Sequence, residues 1–129
     1  MGQGYSYRCK ECNYTIDYLQ GVGFMFIVEA EKILSDMQTG KMGKRFMAMS
    51  NEASMPEVEH SRELYKCDDC GELRPDMKIE LRDGRKLLLE KQRRCGKCHA
   101  KMRVVKKNEK LRCPICGKPL VIGDILMWD

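Results

Sequence analysis

The sequence Tyr7-Arg8-Cys9-Lys10-Glu11-Cys12-Asn13-Tyr14 contains the first of four Cys-x-x-Cys motifs, which we call knuckles 1 to 4. Knuckles 2, 3 and 4 are Cys67-Asp68-Asp69-Cys70, Cys95-Gly96-Lys97-Cys98 and Cys113-Pro114-Ile115-Cys116, and together the motifs use all 8 cysteines. Two residues between the thiolates let both sulfurs reach one ion, and a tetrahedral zinc site takes four such ligands. The sequence therefore predicts two Zn²⁺ per chain. The predicted ligands are Cys9, Cys12, Cys67, Cys70, Cys95, Cys98, Cys113 and Cys116.

Disulfide bonds are the other common use of so many cysteines, and they are typical of secreted proteins. Residues 1–7 show neither the basic region nor the apolar region of a signal peptide. No stretch approaches the roughly 18 apolar residues that a membrane span needs. We therefore expect a cytoplasmic protein with reduced cysteines and no membrane association.

The apolar core of this chain is expected to be thin. Of 129 residues, 33% are charged, and the aromatic residues are limited to 5 Tyr, 3 Phe and 1 Trp. Structural zinc supplies about 10–16 kcal/mol of apparent folding free energy per site, which can replace apolar burial in small domains. The sequence thus predicts a small, metal-stabilised α+β fold in which folding and metal binding are one event.

A helical segment is predicted between knuckles 1 and 2. Apolar residues recur at helical spacing in 29–37, and a second helix is expected in 44–53, before Pro56. We assign the range 26–62 to this helical insertion and expect His60, in its polar final part, to be exposed to solvent.

Two β-hairpins are predicted in the second half of the chain. Residues 78–82 and 86–90 flank Asp83-Gly84, a dipeptide that favours tight turns. The range 102–112 has two short β-prone arms around a polar tip. This second hairpin would join knuckles 3 and 4 as in a zinc ribbon.

The sequence does not determine which knuckles share an ion. Knuckles 1 and 2 both follow Tyr and a basic residue, whereas knuckles 3 and 4 both follow Arg, so similarity favours sequential pairing of 1 with 2 and of 3 with 4. Nested and cross-braced pairings remain open, because closing the longer loop costs only about 0.5 kcal/mol more. With sequential pairing, residues 1–76 form zinc ribbon 1 with the helical insertion, and 77–129 form a basic zinc ribbon 2.

Two family resemblances follow from these motifs. The knuckles and short hairpins resemble the zinc-ribbon superfold in a form found in small bacterial proteins, which implies a fold and a metal but no partner. Tyr7-x-Cys9-x-x-Cys12-x-Tyr14, together with Cys113-Pro114-x-Cys116-Gly117, resembles the two iron-binding knuckles of rubredoxin. That likeness implies one iron held by four thiolates, transfer of single electrons, and nested pairing of knuckles 1 and 4.

Positive charge is concentrated in one part of the chain. The formal net charge is +5, and residues 77–119 hold 15 Lys and Arg against 4 Asp and Glu. Nucleic-acid binding by this basic half is therefore an alternative function, although 77–119 has no aromatic residue on which bases could stack. The candidate phosphate contacts are Arg85, Lys86, Arg93, Arg94, Arg103, Lys106 and Lys107.

We do not expect an enzyme. The sequence has no metalloprotease or nucleotide-binding motif, and a zinc ion saturated by four thiolates lacks the open position that catalysis requires. No small-molecule substrate is evident. The leading hypothesis is a structural or adaptor protein that binds zinc and docks on protein or nucleic acid. The alternatives are a nucleic-acid-binding zinc ribbon and a rubredoxin-like iron protein.

Overall fold

The structure, a computed structural model, describes residues 2–21, 26–106 and 109–128. These residues form an α+β fold, as the sequence predicted, with two helices, α1 (Phe26–Gln38) and α2 (Lys44–Glu52). The strands are β1 (Gly2–Arg8), β2 (Thr15–Gly21), β3 (Pro56–Cys67), β4 (Leu73–Asp83), β5 (Lys86–Glu90), β6 (Arg93–Arg94), β7 (Lys101–Val104) and β8 (Val121–Trp128).

The chain divides into two compact units that alternate along the sequence. The knuckle unit comprises Met1–Gly23, Arg62–Met77 and Gln92–Asp129, and the helical unit comprises Phe24–Ser61 and Lys78–Lys91. Each unit therefore takes segments from both sides of the boundary expected at residues 76 and 77. Strands β3 and β4 begin in one unit and end in the other.

The strands of the knuckle unit are antiparallel and present the cysteine motifs at their turns. β1 pairs with β2 up to the Arg8↔Thr15 pair, and with β8 on its other edge. β2 meets β3 at Gly21↔Arg62, β3 pairs with β7, and β7 pairs with β6. Knuckle 1 thus joins β1 to β2, knuckle 2 joins β3 to β4, and knuckle 3 joins β6 to β7.

Apolar packing in the knuckle unit involves the cysteines themselves. Tyr65 and Met102 pack with the buried sulfur-bearing side chains of Cys67 and Cys95. A second group of buried residues contains Leu64, Leu73 and Leu111. With so few large apolar side chains, the thiolates form a substantial part of the core, so stability here depends on what the sulfurs bind.

The helical unit contains both helices and the β4–β5 hairpin. Met37 of α1 is fully buried, and Ser50 of α2 is buried as well. β4 pairs with β5 around Asp83-Gly84, and Gly84 has φ +61°, which suits a glycine in a tight turn. The hairpin predicted at 78–90 is therefore present.

The end of the predicted helical insertion is a strand instead. Residues 56–61 begin β3, where Glu57 and Glu59 are exposed while Val58 and His60 are buried. This alternation has the two-residue period of a strand, which the helical assignment overlooked. The expectation of a solvated His60 was also wrong, because its side chain is 2% exposed and its Nδ1 lies 3.7 Å from the Glu29 carboxylate.

The hairpin predicted across 102–112 does not form among the described residues. Its first arm is β7, which pairs with β3 and β6. On the other side, Leu111 accepts a hydrogen bond from the Leu120 N–H at 2.9 Å, and Arg112 forms a bridge with Pro119. The two arms therefore pair with different segments rather than with each other.

Candidate metal centres

The eight cysteines form two groups of four. Cluster A consists of Cys9, Cys12, Cys113 and Cys116, and cluster B consists of Cys67, Cys70, Cys95 and Cys98. In each cluster the four sulfurs lie within 4.8 Å of one another. Knuckle 1 is thus grouped with knuckle 4, and knuckle 2 with knuckle 3. The preferred sequential pairing was wrong, and the nested alternative is the one found.

The sulfur separations fit one tetrahedral ion per cluster. In cluster A, Sγ of Cys9 lies 3.5 Å from Cys116, and Sγ of Cys12 lies 3.2 Å from Cys113. The corresponding contacts in cluster B, Cys67–Cys98 and Cys70–Cys95, measure 3.4 and 3.5 Å. A tetrahedral ion with metal–sulfur bonds of about 2.3 Å requires sulfurs about 3.8 Å apart. A disulfide would bring the sulfurs to about 2.05 Å, so the clusters suit a metal better than a covalent bond.

Sequence similarity between knuckles reflects equivalent places in two sites. Knuckles 1 and 2 both lie where one strand turns into the next in a hairpin, β1–β2 and β3–β4. Knuckle 3 also lies at a hairpin turn, between β6 and β7, but it shares with knuckle 4 an Arg side chain that donates to the carbonyl of the residue after the second cysteine. Each cluster combines one knuckle of each kind. The related motifs are therefore counterparts in different clusters, which is why similarity predicted the wrong partners.

All four knuckles share one backbone hydrogen bond. The N–H of the first cysteine donates to the carbonyl of the residue five positions later, at 2.7–2.9 Å. This bond closes the turn and leaves both thiol side chains on the same side of the loop. The donor and acceptor pairs are Cys9 and Tyr14, Cys67 and Glu72, Cys95 and Ala100, and Cys113 and Lys118.

The residue after the second cysteine adopts a left-handed conformation in every knuckle. Gly71 and Gly117 have φ of +82° and +77°, which cost glycine little. Asn13 has φ +61°, and asparagine tolerates this region better than most residues. His99 has φ +62°, which makes it the position where the knuckle geometry imposes the most backbone strain.

The arginines that precede knuckles 3 and 4 hold those turns closed. Arg94 Nη1 donates to the His99 carbonyl at 3.1 Å, and Arg112 Nη1 donates to the Gly117 carbonyl at 3.1 Å. In both cases the acceptor belongs to the residue with positive φ. The shared Arg noted in the sequence is therefore part of the knuckle structure.

The first cysteine of each knuckle is nearly inaccessible. Cys9, Cys67, Cys95 and Cys113 are 0–3% exposed, whereas Cys70, Cys98 and Cys116 lie at the surface. An ion bound in either cluster would be held from the core side by buried sulfurs. The more accessible sulfurs would face solvent.

Backbone amides favour the thiolate form of Cys95 and Cys113. The N–H groups of Cys98 and Lys97 lower the pKa of Cys95 to about 7, and the Lys97 N–H lies 3.4 Å from its sulfur. For Cys113, burial opposes ionisation, but the N–H groups of Cys116 and Ile115 outweigh it and lower the pKa to about 7. Because metal ligands must be deprotonated, these amides prepare the sites for a cation.

Ion pairs join the knuckles of cluster B to their surroundings. Lys97 Nζ, inside knuckle 3, lies 2.7 Å from the carboxylate of Glu72, just after knuckle 2. Arg103 of β7 donates to Asp68 inside knuckle 2 at 2.8 and 3.1 Å, and to both oxygens of Glu109 at 2.8 Å. The sequence motifs did not predict roles for these acids, although an isolated Glu109 in a basic stretch is a signal of a specific partner.

The Arg103 network is strong enough to change the acidity of its members. Hydrogen bonds from Arg103 lower the pKa of Glu109 to about 2 and also lower the pKa of Asp68. Glu109 accepts a further bond from the Lys106 N–H at 3.0 Å, and Lys66 Nζ lies 3.6 Å away. The network thereby fixes the segment after β7 against knuckle 2.

The candidate phosphate contacts are not equally available. Arg103 and Arg94 make the bonds described above, and Arg93 donates to the Met77 carbonyl at 2.6 and 3.2 Å. Arg85 and Lys86 are exposed, but they belong to the hairpin of the helical unit. Lys106 is exposed in the knuckle unit, and Lys107 lies outside the described residues. Among the described candidates, the three arginines Arg93, Arg94 and Arg103 are therefore already engaged by other groups of the protein.

Comparison with known proteins produced no match to a family model, a curated protein or a solved structure. In the part of the chain that the structure describes, no helix combines the length and the apolar character needed to cross a membrane.

Proposed function

We propose that this chain is a non-enzymatic structural or adaptor protein that binds two Zn²⁺ ions, one in each cluster. The observation that carries the proposal is the convergence of four thiols, from knuckles far apart in the sequence, in both clusters. Each set offers the sulfur donors and the spacing that zinc accepts without geometric preference. Bound zinc would cross-link segments of the knuckle unit that are distant in the sequence. These cross-links would add stability to a unit that has few large apolar side chains.

Two zinc-ribbon-like sites with nested order are the architecture that we infer from this arrangement. Each site combines a knuckle at a hairpin turn with a knuckle stabilised by its own Arg. Four protein sulfurs saturate a tetrahedral ion and leave no position for water or substrate. A scaffold role follows from that saturation, and its purpose would be to present the surrounding surface to a macromolecular partner.

Iron in cluster A is a second candidate, and the nested pairing favours it. Cys9, Cys12, Cys113 and Cys116 are the residues of the rubredoxin resemblance, and they do form one group. Cys116 is exposed, as an electron-transfer site requires. Sulfur spacing does not separate iron from zinc, because both metals accept four thiolates.

Element-resolved analysis of protein purified without added metal tests both functions. Two zinc per chain and a colourless protein support the scaffold. One iron and one zinc, with visible absorption lost in a Cys9→Ser/Cys12→Ser variant but kept in Cys67→Ser/Cys70→Ser, would support electron transfer by cluster A. Protein that folds identically without metal would overturn both.

A further inference from the structure

The knuckle unit contains a cavity of about 490 Å³. Its volume lies in the range of roughly 300–1,000 Å³ that is typical of small-molecule sites. Its lining residues include Tyr5, Tyr7 and Tyr18 as well as Lys106 and Lys110. Residues distant in the sequence therefore combine aromatic and cationic groups at one place.

The three tyrosines form a continuous stack on β1 and β2. The ring centroids of Tyr5 and Tyr18 are 5.3 Å apart with planes 20° from parallel. Those of Tyr7 and Tyr18 are 6.0 Å apart with planes 7° from parallel. Nearly parallel rings set an orientation in which another planar ring can extend the stack.

The base of the cavity is apolar. Leu64 and Leu111, which also line it, are 2% and 4% exposed and belong to the core of the knuckle unit. A planar ring entering the cavity would therefore lose contact with water on an apolar surface while stacking on tyrosine. That combination suits a nucleobase better than a fully polar ligand.

The cavity also has cations that can meet an anion. Lys106 and Lys110 are exposed, and within the described ranges neither side chain forms an ion pair with a carboxylate. Glu109 lies between them in sequence, but its carboxylate is held by Arg103 at 2.8 Å. The side chain of Glu63 also lines the cavity.

We propose that this cavity binds single-stranded nucleic acid, with a base against the tyrosine stack and the backbone phosphates beside Lys106 and Lys110. The proposal rests on the proposed docking function and specifies its partner. Residues 77–119, which contain the candidate phosphate contacts, lack aromatic residues of their own. The structure places Tyr5, Tyr7 and Tyr18 next to cations of that range.

Fluorescence anisotropy of the full chain, loaded with zinc, tests the proposal. The probes are labelled oligo(dT) and oligo(rU) of about 12 nucleotides, a length within single-strand site sizes, and a duplex of equal length. Both single strands are expected to bind more tightly than the duplex, in which bases cannot leave the stack. A difference between the two single strands identifies DNA or RNA as the preferred source, and thymidine monophosphate as competitor tests whether one nucleotide suffices.

Two variants separate stacking from charge. Tyr5→Leu should weaken single-strand binding by about fivefold or more, since it removes one stacking surface. Lys106→Gln/Lys110→Gln should weaken binding and reduce the slope of log K against log salt by about 1.4. Arg85→Gln/Lys86→Gln removes the same charge outside the cavity and should leave affinity and slope nearly unchanged.

Three results would overturn the proposal: no complex with either single strand at about 100 μM protein in low salt, equal or tighter duplex binding, or equal loss from the control variant and the lysine variant. Zinc content is measured on every sample, so that failure of the nucleic-acid proposal can be distinguished from failure of the proposed zinc-binding function. Normal zinc with no binding removes only this partner, whereas absent zinc contradicts the proposed function itself.

Discussion

Sγ of Cys12 lies 3.2 Å from Sγ of Cys113, although 101 positions separate these residues in the sequence. Cluster A therefore joins a knuckle near the start of the described chain to one near its end. Both knuckles of cluster B lie between these two in the sequence. The knuckles of cluster B are much closer in sequence, since Cys70 and Cys95 are 25 positions apart. The nested pairing of knuckle 1 with 4 and of knuckle 2 with 3 predicts zinc contents for cysteine variants that differ from those expected for sequential pairing.

The first prediction concerns independent loss of one site. Substituting Cys9, Cys12, Cys113 and Cys116 by Ser removes all ligands of cluster A and should leave one zinc per chain, measured by elemental analysis. The matched variant with Ser at Cys9, Cys12, Cys67 and Cys70 has equally many substitutions but takes two ligands from each cluster. It should hold no tightly bound zinc. The opposite result for the two variants would establish sequential pairing.

The second prediction concerns the arginines at knuckles 3 and 4. Arg94→Met removes the bond to the His99 carbonyl, so zinc should leave cluster B several-fold faster when a chelator is added, because one hydrogen bond contributes about 1 kcal/mol. Arg112→Met should have the same effect on cluster A. Arg85→Met, at an exposed turn outside the knuckles, is the control. Unchanged release in both knuckle variants would contradict the role assigned to these side chains.

The third prediction uses backbone strain. His99 has φ +62°, so His99→Gly should raise the free energy of unfolding by about 1 kcal/mol. Gly117 has φ +77°, and Gly117→Ala should lower it by a similar amount, although a Cβ there meets no atom within 4 Å. Urea unfolding with excess zinc measures both changes. If Gly117→Ala has no effect, the left-handed geometry of knuckle 4 is not maintained in solution.

The fourth prediction concerns Glu109, whose pKa is lowered from 4.5 to about 2 by Arg103. A carboxyl with a depressed folded-state pKa contributes stability that is fully present above its unfolded value and is lost as pH falls toward the folded value. Glu109→Gln should therefore destabilise the protein by about 1 kcal/mol at neutral pH, and the loss should be constant between about pH 6 and 8.

Urea unfolding of the wild type and Glu109→Gln at several pH values checks this prediction. Glu57→Gln, at an exposed position of β3, is the matched control and should have little effect. A loss that varies strongly between neutral and mildly alkaline pH would mean that a different group controls the stability of this segment.

The cysteine ligands and the turn between β4 and β5 could be predicted from the sequence, because each depends on residues that are close together in the chain. Four Cys-x-x-Cys motifs specify thiol ligands whatever their partners are, and Asp83-Gly84 specifies a turn through the conformational freedom of one glycine. The sequence also alternates acidic residues with Val58 and His60 over 57–60, which matches the alternating burial found in β3. It was missed because the helical insertion was assigned up to residue 62, past the helix expected in 44–53.

The grouping of the knuckles was decided by tertiary structure alone. Every knuckle offers the same two thiols, and loop-closure entropy changes too slowly with length to select a partner. Selection came from strand pairing, since β1 pairs with both β2 and β8, while β3 pairs with β7. The same pairing places tyrosines 5, 7 and 18 beside lysines 106 and 110, because groups that form one cavity need proximity in space rather than in sequence.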